Sequence, residues 1–148
     1  MILQKPKDIA AIERLNEEAF PEEERIPVGD LVRLAQQDGY ELLAAYEEER
    51  FVGFVFLALA GPSIYLFLLA VLPELRSRGC GGRILQKILE AYPAGQVAAD
   101  IQRTDEACDN LQQRMKRRAF YLNHGFHPTG CRLVFRGLEF RRVLFRSV

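Results

Sequence analysis

The sequence predicts a mixed α/β fold built on one sheet. Three observations point there. Two runs rich in aromatic and aliphatic residues, Tyr40 to Tyr46 and Phe51 to Leu59, flank the short acidic turn Glu47-Glu48-Glu49-Arg50 and make an antiparallel hairpin. The run Ile64 to Val71 is apolar on both faces, which places it centrally. An amphipathic helix separates that run from a short strand at Val97 to Ile101, and such a crossover implies a parallel pair.

The elements follow in order. Residues 1–4 form a short edge strand. Asp8 is a helix N-cap after Pro6-Lys7, and Ile9, Ile12, Leu15, Ala19 and Phe20 give that helix its apolar side before Pro21 stops it. Glu22, Glu23 and Glu24, with Glu17 and Glu18 before them, make an acidic elbow. A second helix runs from about Asp30 to Gln37, with Leu31, Leu34 and Ala35 apolar, and Asp38-Gly39 ends it. After the hairpin and the turn at Gly61-Pro62 comes the central strand. The next helix carries Ile84, Leu85, Ile88, Leu89 and Tyr92 on one stripe and ends at Tyr92-Pro93-Ala94-Gly95. Beyond Val97 to Ile101 and the polar stretch Asp105 to Asp109, the last helix shows Leu111, Met115, Ala119 and Leu122 at near-helical spacing, with Gly125 closing it. Phe126, Arg132 to Arg136 and Leu138 to Phe145 are closing strands. The order is β-α-α-β-β-β-α-β-α-β-β. The last nine residues, Phe140 to Val148, combine basic charge with an apolar pattern and are held open as a foreign tail.

At 148 residues the chain fits one domain with a sizeable core. No apolar run reaches membrane-spanning length and the N-terminus lacks a signal-peptide pattern, so the expectation is a cytoplasmic protein. Cys80, Cys108 and Cys131 have no metal-like spacing, and their odd number fits reduced thiols; no metal is expected. The net charge of zero hides an asymmetry. Residues 1–75 carry 6 Lys/Arg against 14 Asp/Glu, and residues 76–148 carry 14 against 6. If the halves occupy different faces, one attracts anions and the other cations; solvated charged faces are the plainer reading.

Chemistry concentrates in Val71-Leu72-Pro73-Glu74-Leu75-Arg76-Ser77-Arg78-Gly79-Cys80-Gly81-Gly82-Arg83, a strand end, a turn and a helix start. Gly79, Gly81 and Gly82 allow tight backbone and remove side chains that would hold a ligand away. A helix start offers unpaired N–H groups and a positive dipole end, a natural phosphate seat, and Arg76, Arg78 and Arg83 add charge. The nucleoside-triphosphate loop would need Lys-Ser or Lys-Thr after its last Gly, and the dinucleotide fingerprint a Gly where Ile84 stands; both fail. Arg76, Gly79 and Gly81 spell Arg-x-x-Gly-x-Gly. This resembles the acetyl-CoA pyrophosphate loop of the GNAT family of N-acetyltransferases, with Ser77 where Gly is commoner. A Gly-rich turn with solvated arginines is the bland alternative.

A second stretch, Phe120-Tyr121-Leu122-Asn123-His124-Gly125-Phe126, is similar to the way the last main helix of that family closes. The element order matches too, so the resemblance covers nearly the whole chain. It implies the GNAT fold, a mixed, mostly antiparallel sheet with helices on both faces. It also implies that Arg76, Arg78, Gly79, Cys80, Gly81, Gly82 and Arg83 bind the cofactor. Leu69, Ala70 and Val71 would hold the pantetheine arm through their backbone. By the same resemblance Tyr121 is the general-acid candidate, since a phenol can protonate a departing thiolate; its plainer role is packing. Where many members have a cofactor-touching Asn seven residues before the Tyr, this chain has Arg114. Arg114, Arg117 and Arg118 are either phosphate contacts or a solvated face.

The general base is harder to place. A free Lys-type amine has a pKa of about 10.4 and must lose a proton before attack. The central strand Ile64 to Val71 has no carboxylate. Asp100 on the next strand is the best single candidate, because a partly buried carboxylate needs a purpose or a partner. Glu22, Glu23 and Glu24, bordering the acceptor site by the resemblance, are alternatives, and so is a water chain. His124 and His127 fit capping or surface roles. The backbone N–H of Cys80 matters more than its thiol, as no His stands near it.

The resemblance therefore implies an acyl-CoA-dependent N-acetyltransferase that moves acetyl from acetyl-CoA to a small-molecule or peptide amine by direct attack. A non-catalytic acyl-CoA-binding or regulatory module of the same fold is the alternative. No nucleic-acid motif accompanies the basic residues, so neither nucleic acid nor membrane is an expected partner; a homodimer is left open.

Overall fold

In the computed structural model the chain runs β1 (Ile2–Gln4), α1 (Ile9–Ala19), α2 (Val28–Ala35), β2 (Tyr40–Glu47), β3 (Arg50–Ala60), β4 (Ser63–Val71), a 3₁₀ turn (Pro73–Leu75), α3 (Cys80–Ala91), β5 (Gln96–Gln102), α4 (Leu111–Asn123), β6 (Phe126–Val134) and β7 (Arg141–Ser147). It describes residues 1–22, 25–93, 95–102, 104, 109–134 and 141–147, with backbone only at 131–134 and 141–147. The mixed α/β class and the element order match expectation; the 3₁₀ turn is additional. Backbone contacts group the chain into two compact units, Met1–Gly95 and Gln96–Val148.

In the first unit β1, β2, β3 and β4 are antiparallel neighbours in sequence order. The Asp8 carboxylate caps α1, accepting from the Ala10 N–H at 3.0 Å. Ile12, Leu15 and Ala19 of α1 and Val28 and Leu31 of α2 pack on Leu42, Ala44, Phe54, Phe56, Leu68 and Ala70 of the sheet. These α1 residues recur at helical spacing and form one face. Strand β4 carries a bulge: Phe56 faces Leu68 but Leu57 faces Leu66, so Phe67 is the extra residue. Phe67 and Leu68 consequently both join the core under α1 and α2. On α3, Ile84, Leu85 and Ile88 are buried, as the stripe predicts, and the helix packs against β4.

In the second unit β7 lies between β5 and β6, antiparallel to both. Arg141–Ser147, most of the segment held open as a foreign tail, therefore forms an interior strand of this unit, with Ala98 opposite Arg146 and Phe126 opposite Ser147. Helix α4 corrects the expected stripe. Met115 is 54% exposed and Ala119 is exposed, while Arg114 and Tyr121, two turns apart, are buried. Aliphatic spacing alone misidentified the inner face because that face carries an arginine and a tyrosine.

Candidate active site

The turn from β4 into α3 is shaped by two left-handed residues. Gly79, at φ +83°, is the N-cap of α3, and no side chain caps the helix. The first intrahelical bond runs from the Arg83 N–H to the Gly79 carbonyl at 3.0 Å. The amides of Cys80, Gly81 and Gly82 therefore sit in the first turn, where no intrahelical acceptor exists, at the positive end of the helix dipole. Ser77, at φ +61°, takes the other left-handed conformation without being glycine. The 3₁₀ turn Pro73–Leu75 joins this loop to the strand end, and the Leu72 N–H donates to the Val52 carbonyl at 3.0 Å.

The three arginines have different surroundings. Arg76 Nε donates to the Val71 carbonyl at 3.0 Å, and its two terminal nitrogens grip both carboxylate oxygens of Glu18, one at 3.1 Å. Arg83 Nε donates to Glu47 Oε1 at 2.8 Å, and Nη2 lies 3.2 Å from Cys80 Sγ. The Glu47 hydrogen bond raises the Arg83 pKa above its already high ordinary value. Arg78 is exposed, and no ion pair engages its guanidinium among the described residues. Cys80 is buried. Sequence reasoning missed Glu18 and Glu47 as neighbours of this loop; the only signal was the excess of acids in the first half and of bases in the second.

Strand β4 delivers Leu69, Ala70 and Val71 to the loop. Ala70 is buried, while Leu69 and Val71 are half-buried. Gly53 on β3 sits opposite Val71, and a Cβ there would overlap the Ala70 carbonyl oxygen. At the far end of α3, Tyr92 Oη donates to Glu41 Oε2 at 2.5 Å. Partial burial and this bond push the phenol up to about 12.

The acidic elbow is tied down at both ends. The Arg25 guanidinium donates to the Phe20 and Glu17 carbonyls at the end of α1. Buried Asn16 donates through Nδ2 to the Ile26 carbonyl at 2.9 Å. Glu22 is exposed; Glu23 and Glu24 lie outside the described residues.

The second unit holds the remaining candidates. Tyr121 is buried on α4, its ring edge-on to Phe126 at 5.1 Å and to Phe120 at 5.2 Å. Asp100 is half-buried on β5, opposite Leu144. His124 is exposed at the end of α4, with Nδ1 2.7 Å from the Phe120 carbonyl, and His127 is exposed on β6. Cys108 and the Cys131 side chain lie outside the described residues. Among the described residues no group of three or more His, Cys, Asp or Glu is placed to hold a metal ion, and no helix is long and apolar enough to cross a membrane.

Uncapped first-turn amides, glycines with no side chain beside them and an exposed arginine give the loop a chemistry that can seat an anion. A family model described as an acetyltransferase (GNAT) domain matches residues 38–128. No curated protein sequence matches the chain. Among solved structures, a protein from Bacteroides thetaiotaomicron assigned to the GNAT acetyltransferases superposes with a TM-score of 0.82 at 20% identity, covering 99% of this chain and 86% of its own. An aminoglycoside 6′-N-acetyltransferase complexed with coenzyme A superposes with a TM-score of 0.74 at 15% identity, covering 99% and 96%. The ribosomal-protein-S18-alanine N-acetyltransferase from Escherichia coli superposes with a TM-score of 0.74 at 13% identity, covering 99% and 92%. At these identities the likeness is one of fold.

Proposed function

The chain belongs to the GNAT acetyltransferase family, and on that premise we propose that it transfers acetyl from acetyl-CoA to an amine by direct attack. The observation that carries this reading is the turn at Arg78–Arg83, where uncapped amides open α3 behind the left-handed Gly79. The pyrophosphate binds there, with Arg78 supplying charge. The pantetheine arm runs along Leu69, Ala70 and Val71 and is held by backbone hydrogen bonds.

The amine nitrogen attacks the thioester carbonyl, and a β4 N–H stabilises the tetrahedral oxyanion. The C–S bond then breaks, and Tyr121 protonates the leaving thiolate. Its burial on α4 supports that role, since water does not compete well for an enclosed phenol. Asp100 is the preferred base, with Glu22 or water chains as alternatives. Two of the similar structures are named for an aminoglycoside and for a ribosomal-protein alanine, both amine acceptors. The acidic elbow, Glu22 with Glu23 and Glu24, favours a cationic small-molecule or peptide amine, and the setting is cytoplasmic.

One observation favours the rival reading, a GNAT-fold module that binds acyl-CoA without turnover: β4 carries no carboxylate. Calorimetry with acetyl-CoA tests the shared part. The wild-type chain should bind, and Gly81→Glu, which places a carboxylate on the anion seat, should abolish binding while keeping its melting transition. A folded wild-type chain that ignores acetyl-CoA would sink both readings.

A further inference from the structure

The strongest unexplained contact is the one Arg76 makes. By sequence pattern it stands with the anion-binding arginines, yet its guanidinium is engaged on two sides. Nε holds the Val71 carbonyl, the last residue of β4, and the terminal nitrogens hold Glu18 in the last turn of α1. This two-pronged arrangement fixes the orientation of a planar guanidinium far better than a single contact. Arg83 is similarly held by Glu47, which leaves Arg78 as the arginine of the loop without an ion pair among the described residues. The cations therefore divide into one presented to solvent and two spent on carboxylates.

We infer that Glu18 is a positioning residue of the donor site: it locks Arg76 as a strut that fixes the end of β4 and the loop after it, so that Arg76 supports the bound donor without contacting its phosphates. The role rests on the acetyl-CoA reading above. It follows from chain geometry. Arg76 lies between Val71 and Gly79, so a guanidinium tied back to the Val71 carbonyl closes the segment into a small ring. Glu18, 58 residues away in sequence, anchors that ring to the core helix α1. Without Glu18 the ring loses its outside attachment, and binding must then order the loop amides at a cost in affinity.

The two roles for Arg76 make opposite predictions for its partner. If Arg76 were a phosphate ligand, Glu18 would compete with the phosphate for it, and Glu18→Ala would tighten acetyl-CoA binding. If Arg76 is a strut, Glu18→Ala weakens binding. The pair is partly exposed, with side chains 39% and 45% accessible, so the loss should be about threefold.

Calorimetric titration of the full chain with acetyl-CoA decides between them, using wild type, Glu18→Ala, Arg76→Met, the double variant and Arg78→Ala. The strut predicts weakening by similar factors in both single variants and no further loss in the double variant. It also predicts that Arg78→Ala, made alone and on the Glu18→Ala background, weakens binding by the same factor. Tighter binding by Glu18→Ala overturns the proposal. So does unchanged affinity with a lowered melting temperature, which would make the pair a contact of the fold alone. A wild-type chain that does not bind acetyl-CoA removes the donor site and this role with it, and that failure is visible before any variant is made.

Discussion

Ser77 holds a left-handed backbone at φ +61°, where the Cβ of an L-residue crowds the following carbonyl at a cost of about 1–2 kcal/mol. Glycine escapes that cost but loses about 0.4–1 kcal/mol through its freer unfolded chain. Ser77→Gly should therefore stabilise the protein by up to about 1.5 kcal/mol, read as a higher urea midpoint at unchanged slope. A β-branched residue at the same place, Ser77→Val, should lower the midpoint. No change in either variant would mean that the turn relaxes at no cost. The three glycines and the helix start after them were legible at this scale, because φ freedom and missing side chains are local properties. The destinations of Arg76 and Arg83 were not. Glu18 and Glu47 lie 58 and 36 residues before them, and only the folded sheet and helices bring those carboxylates to the loop.

At the scale of elements, the strands and helices followed from period and punctuation, and the errors have physical causes. Helix α2 begins at Val28, two residues before the expected start, with Pro27 at its N-cap position, outside the helix hydrogen bonds that its missing N–H would break. Phe67 and Leu68 share a side of the sheet because of a bulge that alternation cannot reveal. The inner face of α4 was misjudged because Arg114 and Tyr121, rather than aliphatic residues, fill it. Two contacts at this scale make predictions. Gly53 leaves no room for a Cβ beside the Ala70 carbonyl, so Gly53→Ala must push β3 from β4. We expect a loss of about 1–3 kcal/mol in urea unfolding, as for other overpacked sites, with weaker acetyl-CoA binding because the displaced segment is Leu69 to Val71. A destabilised variant that binds acetyl-CoA as tightly as wild type would show that the strand end is not the pantetheine track. Tyr92 joins the end of α3 to β2 through Glu41, and its phenol is raised from 10.0 to about 12. A raised folded pKa means that folding favours the neutral phenol. That contribution is whole below pH 10 and is lost as pH rises from 10 to 12. The fall in stability across that window should be shallower in Tyr92→Phe than in wild type, and parallel curves would refute the assignment.

For the whole molecule, the proposed work is divided between segments far apart in the chain, with donor binding on β4 and α3 and proton delivery on α4. The roles should therefore separate under mutation. Tyr121→Phe is a clean probe, because its buried ring contributes edge-on packing against Phe120 and Phe126 that phenylalanine retains, while the hydroxyl is removed. Acetyl-CoA affinity should stay close to wild type. Turnover with a competent amine should fall about a hundredfold or more, the usual contribution of a positioned general acid. The loss should appear in kcat with little change in KM for acetyl-CoA, because the proton is needed only as the thiolate departs. Gly81→Glu should show the converse, losing donor binding outright. If Tyr121→Phe turns over like wild type, another donor protonates the thiolate and the tyrosine is a packing residue. If neither protein turns over any amine while both bind acetyl-CoA, the chain acts as a binding module. The absence of a carboxylate on β4 would then reflect a catalytic base the protein does not have.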